Sequence, residues 1–225
     1  MKSRHAEKRV QLVKSGEADL LMKGLVNSSV FLRAVLKEEK EGSGQVFLNH
    51  LASFQVPGFN RLLFFSDGGM NIAPGVKEKQ RIVLNAVEAL HRLGIAIPKV
   101  AVLTANEKID EKMPATVDAA NLAAMWAKGE IPGCILEGPM TMDVALSRDA
   151  AVHKGIDSRI AGEADLFIVP DIEAGNMVGK TLIYCAGAKM AGVILGADYT
   201  IIMTSRAENA EGKLNSIALA AAIAR

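Results

Sequence analysis

Aromatic side chains are scarce, at 4% of 225 residues. A core of this size must then be aliphatic, built on Val, Ile, Leu, Met and Ala, which favours α/β architecture. Neither sign of charge is in excess: 26 Lys and Arg stand against 25 Asp and Glu, for a formal net charge of +1. Nothing in that balance argues for nucleic acid or an anionic membrane as partner, so an anionic ligand must be met by local donors. The two cysteines, Cys134 and Cys185, have no CxxC spacing, which argues against a disulfide framework or zinc site and fits a reducing cytoplasm. The four histidines, His5, His50, His91 and His153, show neither HxH nor HxxxH spacing. They read as solvated helix and loop residues, and no metal is expected. The longest apolar run, around 217–224, is far below the ~20 residues of a membrane span, and the N-terminal MKSRHAEKRVQLV lacks a signal-peptide apolar region. A soluble, non-exported protein is expected. GxGxxG, GxxxxGK[ST] and GxSxG are all missing, so no dinucleotide fingerprint, P-loop or nucleophile elbow is present.

What is there is half hydrophobic and 23% charged, which excludes intrinsic disorder. Short aliphatic runs predict strands at 18–22, 45–49, 53–56, 62–66, 100–104, 134–136, 166–170, 192–195 and 199–205. Most are continuous rather than alternating, the mark of parallel strands covered on both faces. Helical stretches fall at 7–15, 29–40, 76–93, 116–128, 142–153, 176–190 and 207–224. A TIM barrel is disfavoured because 46–49, 53–56 and 62–66 follow one another with only turns between them, which breaks the β–α alternation. The prediction is a doubly wound sheet with an antiparallel insertion, in two lobes. The best boundary is the charged, glycine-ended EEKEGSG at 38–44, with a second crossing near Gly192.

In open parallel sheets, ligands collect where strands turn into helices. Three such turns stand out. At Thr204-Ser205-Arg206 a hydroxyl, backbone N–H groups and a guanidinium coincide with a predicted helix N-terminus, which makes an anion site, or else a capping Ser beside a surface Arg. At Pro170–Asn176 two carboxylates, Asp171 and Glu173, precede Gly175 and Asn176. This is a site loop whose Gly lets backbone approach a ligand, or an acidic first turn complementing the helix dipole. At 24–29, Asn27 or Ser28 caps a helix carrying Arg33, which either reaches a ligand or covers the helix side. The turns Ser66-Asp67-Gly68-Gly69 and Gly138-Pro139 with Asp143 are weaker, being more often tight turns than site loops. Asp143, Asp149, Asp157, Asp165 and Asp171 are numerous enough for a metal but too widely spaced.

The stretch LEGPMTMDVALSRDAAVHKGIDSRIAGEADLFIVPDIEAGNMVGKTLIYCAGAKMAGVILGADYTIIMTSRAENAEGKLNSIALA, with SGEADLLMKGLVNSSVFLRAVLKEE near the start, resembles the phosphate acetyl/butyryltransferase family, and its butyryltransferase branch most. PDIEAGN and TSRAENAE carry the likeness, which covers nearly the whole chain. The resemblance implies a two-lobed, isocitrate/isopropylmalate-dehydrogenase-like α/β fold with mostly parallel sheets, an active site between the lobes, and a homodimer or higher homo-oligomer in the cytoplasm. Residues 1–41 and 193–225 would form lobe one and 42–192 lobe two. Family members carry several tens of residues before the point matching Met1, so lobe one is expected to be incomplete and to expose apolar surface.

The implied reaction is acyl-CoA plus inorganic phosphate to acyl phosphate plus CoA, without metal or cofactor, coenzyme A being a substrate. Phosphate and the tetrahedral oxyanion both need converging N–H, hydroxyl and Arg donors. By the resemblance, Ser205 matches the serine that stabilises the transition state and Arg206 the phosphate-binding arginine. The family aspartate assigned to thiol deprotonation falls on Gly212, next to Glu211. Glu211 is the candidate base, although one residue of offset turns a helical side chain by ~100°. Asn27, Ser28 and Arg33 match the substrate loop and a CoA-implicated arginine, and Asp171, Gly175 and Asn176 complete the substrate-binding set. The alternatives are a non-catalytic or truncated acyl-CoA/phosphate-binding paralogue, and a dehydrogenase on the same fold. The dehydrogenase is disfavoured because no clustered Asp triad is evident.

Overall fold

The computed structural model describes residues 2–40, 46–204 and 208–224. In chain order the elements are α1 (Lys2–Lys14), β1 (Leu20–Met22), α2 (Ser28–Lys40), β2 (Asn49–Gln55), β3 (Leu63–Ser66), α3 (Val76–Arg92), β4 (Lys99–Leu103), α4 (Pro114–Ala127), β5 (Ile135–Met140), α5 (Met142–Leu146), α6 (Arg148–Lys154), β6 (Leu166–Ile168), α7 (Ile172–Ala186), β7 (Lys189–Leu195), β8 (Thr200–Ile202) and α8 (Ala210–Ile223). Among the described residues no helix is long and apolar enough to cross a membrane.

The strands form one sheet, ordered β1-β8-β7-β2-β3-β6-β4-β5. Pairing is parallel for β1·β8, β3·β6, β4·β6 and β4·β5, and antiparallel around β2 and at β7·β8. The mixed α/β, mostly parallel architecture is therefore as the sequence indicates, including the antiparallel insertion.

Three local expectations change. The stretches 45–49 and 53–56 are not two strands: a single β2 spans Asn49–Gln55 because it lies between β3 and β7 and needs apolar residues on both faces. The helix expected at 142–153 is two, broken at Ser147, whose extended backbone lets its hydroxyl accept from Ala150 N and start α6. Finally, α7 begins at Ile172, because the Asp171 carboxylate caps it by accepting from Ala174 N at 2.8 Å. At its other end the same helix stops short of the expected 190, and residues 189 and 190 belong to β7.

The core has three parts. Helices α3, α4 and α8 cover one face of the sheet through Leu51, Ile82, Leu90, Leu122 and Leu219. On the other face, α5–α7 cover Phe54, Phe65 and Phe167, while α1 and α2 cover Leu48, Ile194 and Ile201. Between these last two groups the helical cover is interrupted over β2 and β7.

Candidate active site

Side chains two apart on a strand share a face. On β2 this sets His50, Ala52 and Phe54 in line beneath the interruption, where they floor a cleft of about 330 Å³. Its walls come from segments distant in sequence: Gly68 and Gly69 after β3, Gly175, Asn176, Lys180 and Ile183 of α7, and Met203, Thr204 and Glu208 around the β8–α8 turn. The floor is apolar, with Phe65 stacked on Phe167 at 4.6 Å and edge-on to Phe54 at 5.5 Å. The rim is polar, which is the usual make-up of a small-molecule site.

The loop after β3 is held by Asp67, which is 1% exposed. Its carboxylate accepts from the backbone N–H groups of His50, Gly69, Met70 and Asn71, and from the Asn71 amide at 2.6 Å. The sequence ranks this segment as a tight turn rather than a site loop; it is both, since the turn that Asp67 folds delivers Gly68 and Gly69 to the cleft.

Gly175 permits a close approach, but of backbone to backbone. A Cβ there would lie 2.5 Å from Gly68 Cα and 2.8 Å from Val169 Cγ2. Gly175→Ala is therefore expected to push α7 off the 67–71 loop, destabilising by about 1–3 kcal/mol, as overpacking does, and lowering the melting temperature by roughly 2–12 °C. A thermal melt within about 1 °C of wild type would remove the close packing of α7 on that loop as its explanation.

The predicted residues are distributed as follows. Ser205 and Arg206 lie outside the described residues, but Thr204 and Glu208, which flank them in sequence, both line the cleft. Gly175 and Asn176 line it as well, the Asn176 amide lying 3.5 Å from Gly68 O. Asp171 does not, because its carboxylate is engaged in capping α7. Glu211 sits in the first turn of α8 with its carboxylate 2.6 Å from Lys189 Nζ, both side chains more than half exposed. The rotation that separates it from position 212 carries it to the surface.

Asn27 caps α2, accepting from Ser29 N at 3.1 Å. Arg33 is exposed on α2, and the Ser28 side chain lies outside what is described. These three are not among the residues lining the cleft. Their turn nevertheless leaves the same sheet edge as β8, since β1 and β8 run parallel with Met22 opposite Ile202, and Lys23 N donates to Ile202 O. A hollow of about 510 Å³ lined by Arg9, Met22, Leu25 and Phe31 adjoins that turn.

Two residues of the cleft escape sequence reading. Glu208 stands inside TSRAENAE, but spacing does not say which of its two acids faces inward. His50 was expected to be solvated; it is 8% exposed because it lies on a central strand. Burial lowers the pKa of its imidazole, against the opposing pull of the Asp67 carboxylate. Of the cysteines, Cys134 is buried and its thiol pushed up to about 11 by desolvation, so it presents no nucleophilic thiolate at neutral pH, while Cys185 is exposed. Among the described residues no group of three or more His, Cys, Asp or Glu is placed to hold a metal ion.

Comparison with known proteins follows the same lines. The family model for phosphate acetyl/butaryl transferase matches residues 2–221. A phosphate butyryltransferase of Clostridium acetobutylicum is 47% identical over 97% of this chain and 73% of its own length. A phosphate acetyltransferase of Rhizobium meliloti is 39% identical over 96% of this chain and 68% of its own. Among solved structures, a branched-chain phosphotransacylase from Enterococcus faecalis superposes with a TM-score of 0.89 at 32% identity, covering 99% of this chain and 79% of that one. A 4-hydroxythreonine-4-phosphate dehydrogenase from Klebsiella pneumoniae, at 17% identity and a TM-score of 0.59, shares the fold alone.

Proposed function

We propose, from the premise that this chain belongs to the phosphate acetyl/butaryl transferase family, that its cleft moves a butyryl-sized acyl group between CoA and inorganic phosphate. The chain is a phosphate acyltransferase, producing acyl phosphate and CoA reversibly. The preference for butyryl over acetyl is carried by one observation: beyond the polar rim, the cleft is floored by Phe54, Phe65 and Met190 and walled by Ile183. Each methylene buried there is worth about 0.8 kcal/mol, and an acetyl group leaves that surface uncovered.

In the direction of thioester synthesis, the CoA sulfur attacks the carbonyl carbon of the acyl phosphate and the carbonyl oxygen takes the electron pair. When the tetrahedral adduct collapses, the carbon–oxygen bond to phosphate breaks and phosphate leaves. Ser205 and Arg206 are the donors to phosphate and to the developing oxyanion. The thiol proton goes to Glu208, whose support for that role is its place in the cleft wall. Asn176, on the opposite wall, orients the phosphate end, and Asn27, Ser28 and Arg33 direct the CoA moiety toward the hollow beside α1 and α2.

The donor set needs no cation: hydroxyl, N–H and guanidinium groups supply the charge stabilisation for which other enzymes use a metal. Activity in the presence of EDTA is expected to equal that in its absence; loss on chelation with recovery on adding a divalent ion would overturn this. We place the protein in the cytoplasm as a homodimer. The dimer is supported by α7, which exposes the large side chains of Met177 and Tyr184 at 64% and 75% on one helix face, where a second copy could cover them. Light scattering should give twice the chain mass, and a monomer at micromolar concentration would refute it.

The function itself is tested by following CoA release from butyryl-CoA with phosphate. Phosphate-dependent release, faster than with acetyl-CoA, is expected. Phosphate-independent release would mark a hydrolase, and no release a binding protein.

A further inference from the structure

The imidazole of His50 is built into the cleft with more care than a core residue needs. Its Nδ1 is buried and makes no hydrogen bond. Two glycines make room for the ring: a Cβ at Gly69 would lie 2.8 Å from its Cγ, and a Cβ at Gly192 would lie 2.9 Å from its Nε2. The two glycines come from different segments, the loop after β3 and strand β7. The backbone N–H of His50 is fixed in turn by the Asp67 carboxylate.

A neutral imidazole carries one proton on one nitrogen. A buried N–H without a partner is costlier and rarer than a bare acceptor. The proton therefore belongs on Nε2, the nitrogen that Gly192 leaves uncovered in a ring that lines the cleft. Such a ring is a poor place to park a second proton, because the imidazolium would carry an unpaired Nδ1–H away from water. Burial holds the ring in this uncharged, donating form against the pull of the Asp67 carboxylate, and of the charged groups facing the cleft, Lys180 disfavours the imidazolium while Glu208 favours it.

Resting on the acyltransferase reading, we propose that His50 is a further catalytic residue, a neutral hydrogen-bond donor whose Nε2–H meets the carbonyl oxygen of the transferring acyl group and strengthens as that oxygen gains charge. Its position on the apolar floor beside Ala52 and Phe54 is where the carbonyl end of a chain lying on those residues comes to rest. No proton is transferred to or from the ring.

The test is steady-state kinetics of the full chain with butyryl-CoA and phosphate, on His50→Phe, His50→Gln and Gly192→Ala, with a thermal melt of each. Loss of one oxyanion donor is expected to lower kcat about 10²–10³-fold in His50→Phe, with KM for phosphate and butyryl-CoA within about threefold. His50→Gln, which keeps an N–H donor, should recover at least about tenfold of that loss. Gly192→Ala, which crowds Nε2, should lower kcat while His50 remains present. A folded His50→Phe with kcat within about threefold of wild type would show a merely structural ring. A raised KM for phosphate at unchanged kcat would assign the ring to phosphate instead; either result overturns the proposal. Should His50→Phe not fold, His50→Asn, whose shorter amide stops short of the cleft, is read by the same criteria. Absence of turnover in the wild type would sink the acyltransferase reading itself, whereas an active wild type with unaffected variants sinks only this inference.

Discussion

Ser205→Ala and Arg206→Ala are each expected to turn over butyryl-CoA and phosphate about 10²–10³-fold more slowly than wild type, the usual effect of removing one preorganised donor to a developing oxyanion. The two donors act at different points. In the proposed mechanism the Ser205 hydroxyl serves the carbonyl oxygen as it becomes an oxyanion, so Ser205→Ala should lower kcat with KM little changed. The Arg206 guanidinium is proposed to bind phosphate in both ground and transition states, so Arg206→Ala should also raise KM for phosphate, and Arg206→Lys should restore charge but not the forked pair of bonds. The described residues on either side, Thr204 and Glu208, both line the cleft, and β8 ends where the helical cover of the sheet is interrupted. Both variants within about threefold of wild type would remove this turn from the chemistry.

In the direction of thioester synthesis, from butyryl phosphate and CoA, Glu208→Gln is expected to lower the rate by about 10²–10³-fold, within the range of a lost general base. That loss should be steepest at low pH. An ordinary thiol has a pKa near ~8.5, so at pH 6 almost all CoA is protonated and the base is indispensable, whereas near pH 9 solvent already supplies thiolate and the variant should approach wild type. Glu211→Gln is the matched control. Its carboxylate is paired with Lys189 in an exposed ion pair, an interaction worth at most ~1 kcal/mol to stability, so its rate and pH profile should follow wild type. If Glu211→Gln shows the low-pH loss and Glu208→Gln does not, the assignment of the base is reversed.

The two acids show where sequence reading stops. Both stand in AENAE, three positions apart, and nothing local distinguishes them. What does so is Asn209, whose side chain accepts from Gly212 N and starts α8 there. Glu208 is thereby left before the helix, folded back over Gly212, while Glu211 enters the first turn facing Lys189. His50 shows the same limit in another form. Just past the predicted strand 45–49, it reads as a solvated residue, and only the pairing of β2 with both β3 and β7 makes its strand central and the ring buried.

By itself the sequence determined what depends on near neighbours along the chain: an aliphatic α/β protein, the order of strands and helices, and the motifs that mark the family. Such features follow from periodicity, capping and turn chemistry over a few residues. Only the tertiary structure decided which turns meet. It joined the 67–71 loop, the start of α7 and the β8–α8 turn around one cleft, removed Asp171 and Glu211 from it, and brought in His50 and Glu208. The physical reason is that convergence is set by strand pairing between segments far apart in sequence, and by where the helical cover of the sheet is left open. Neither is written in the spacing of any single stretch.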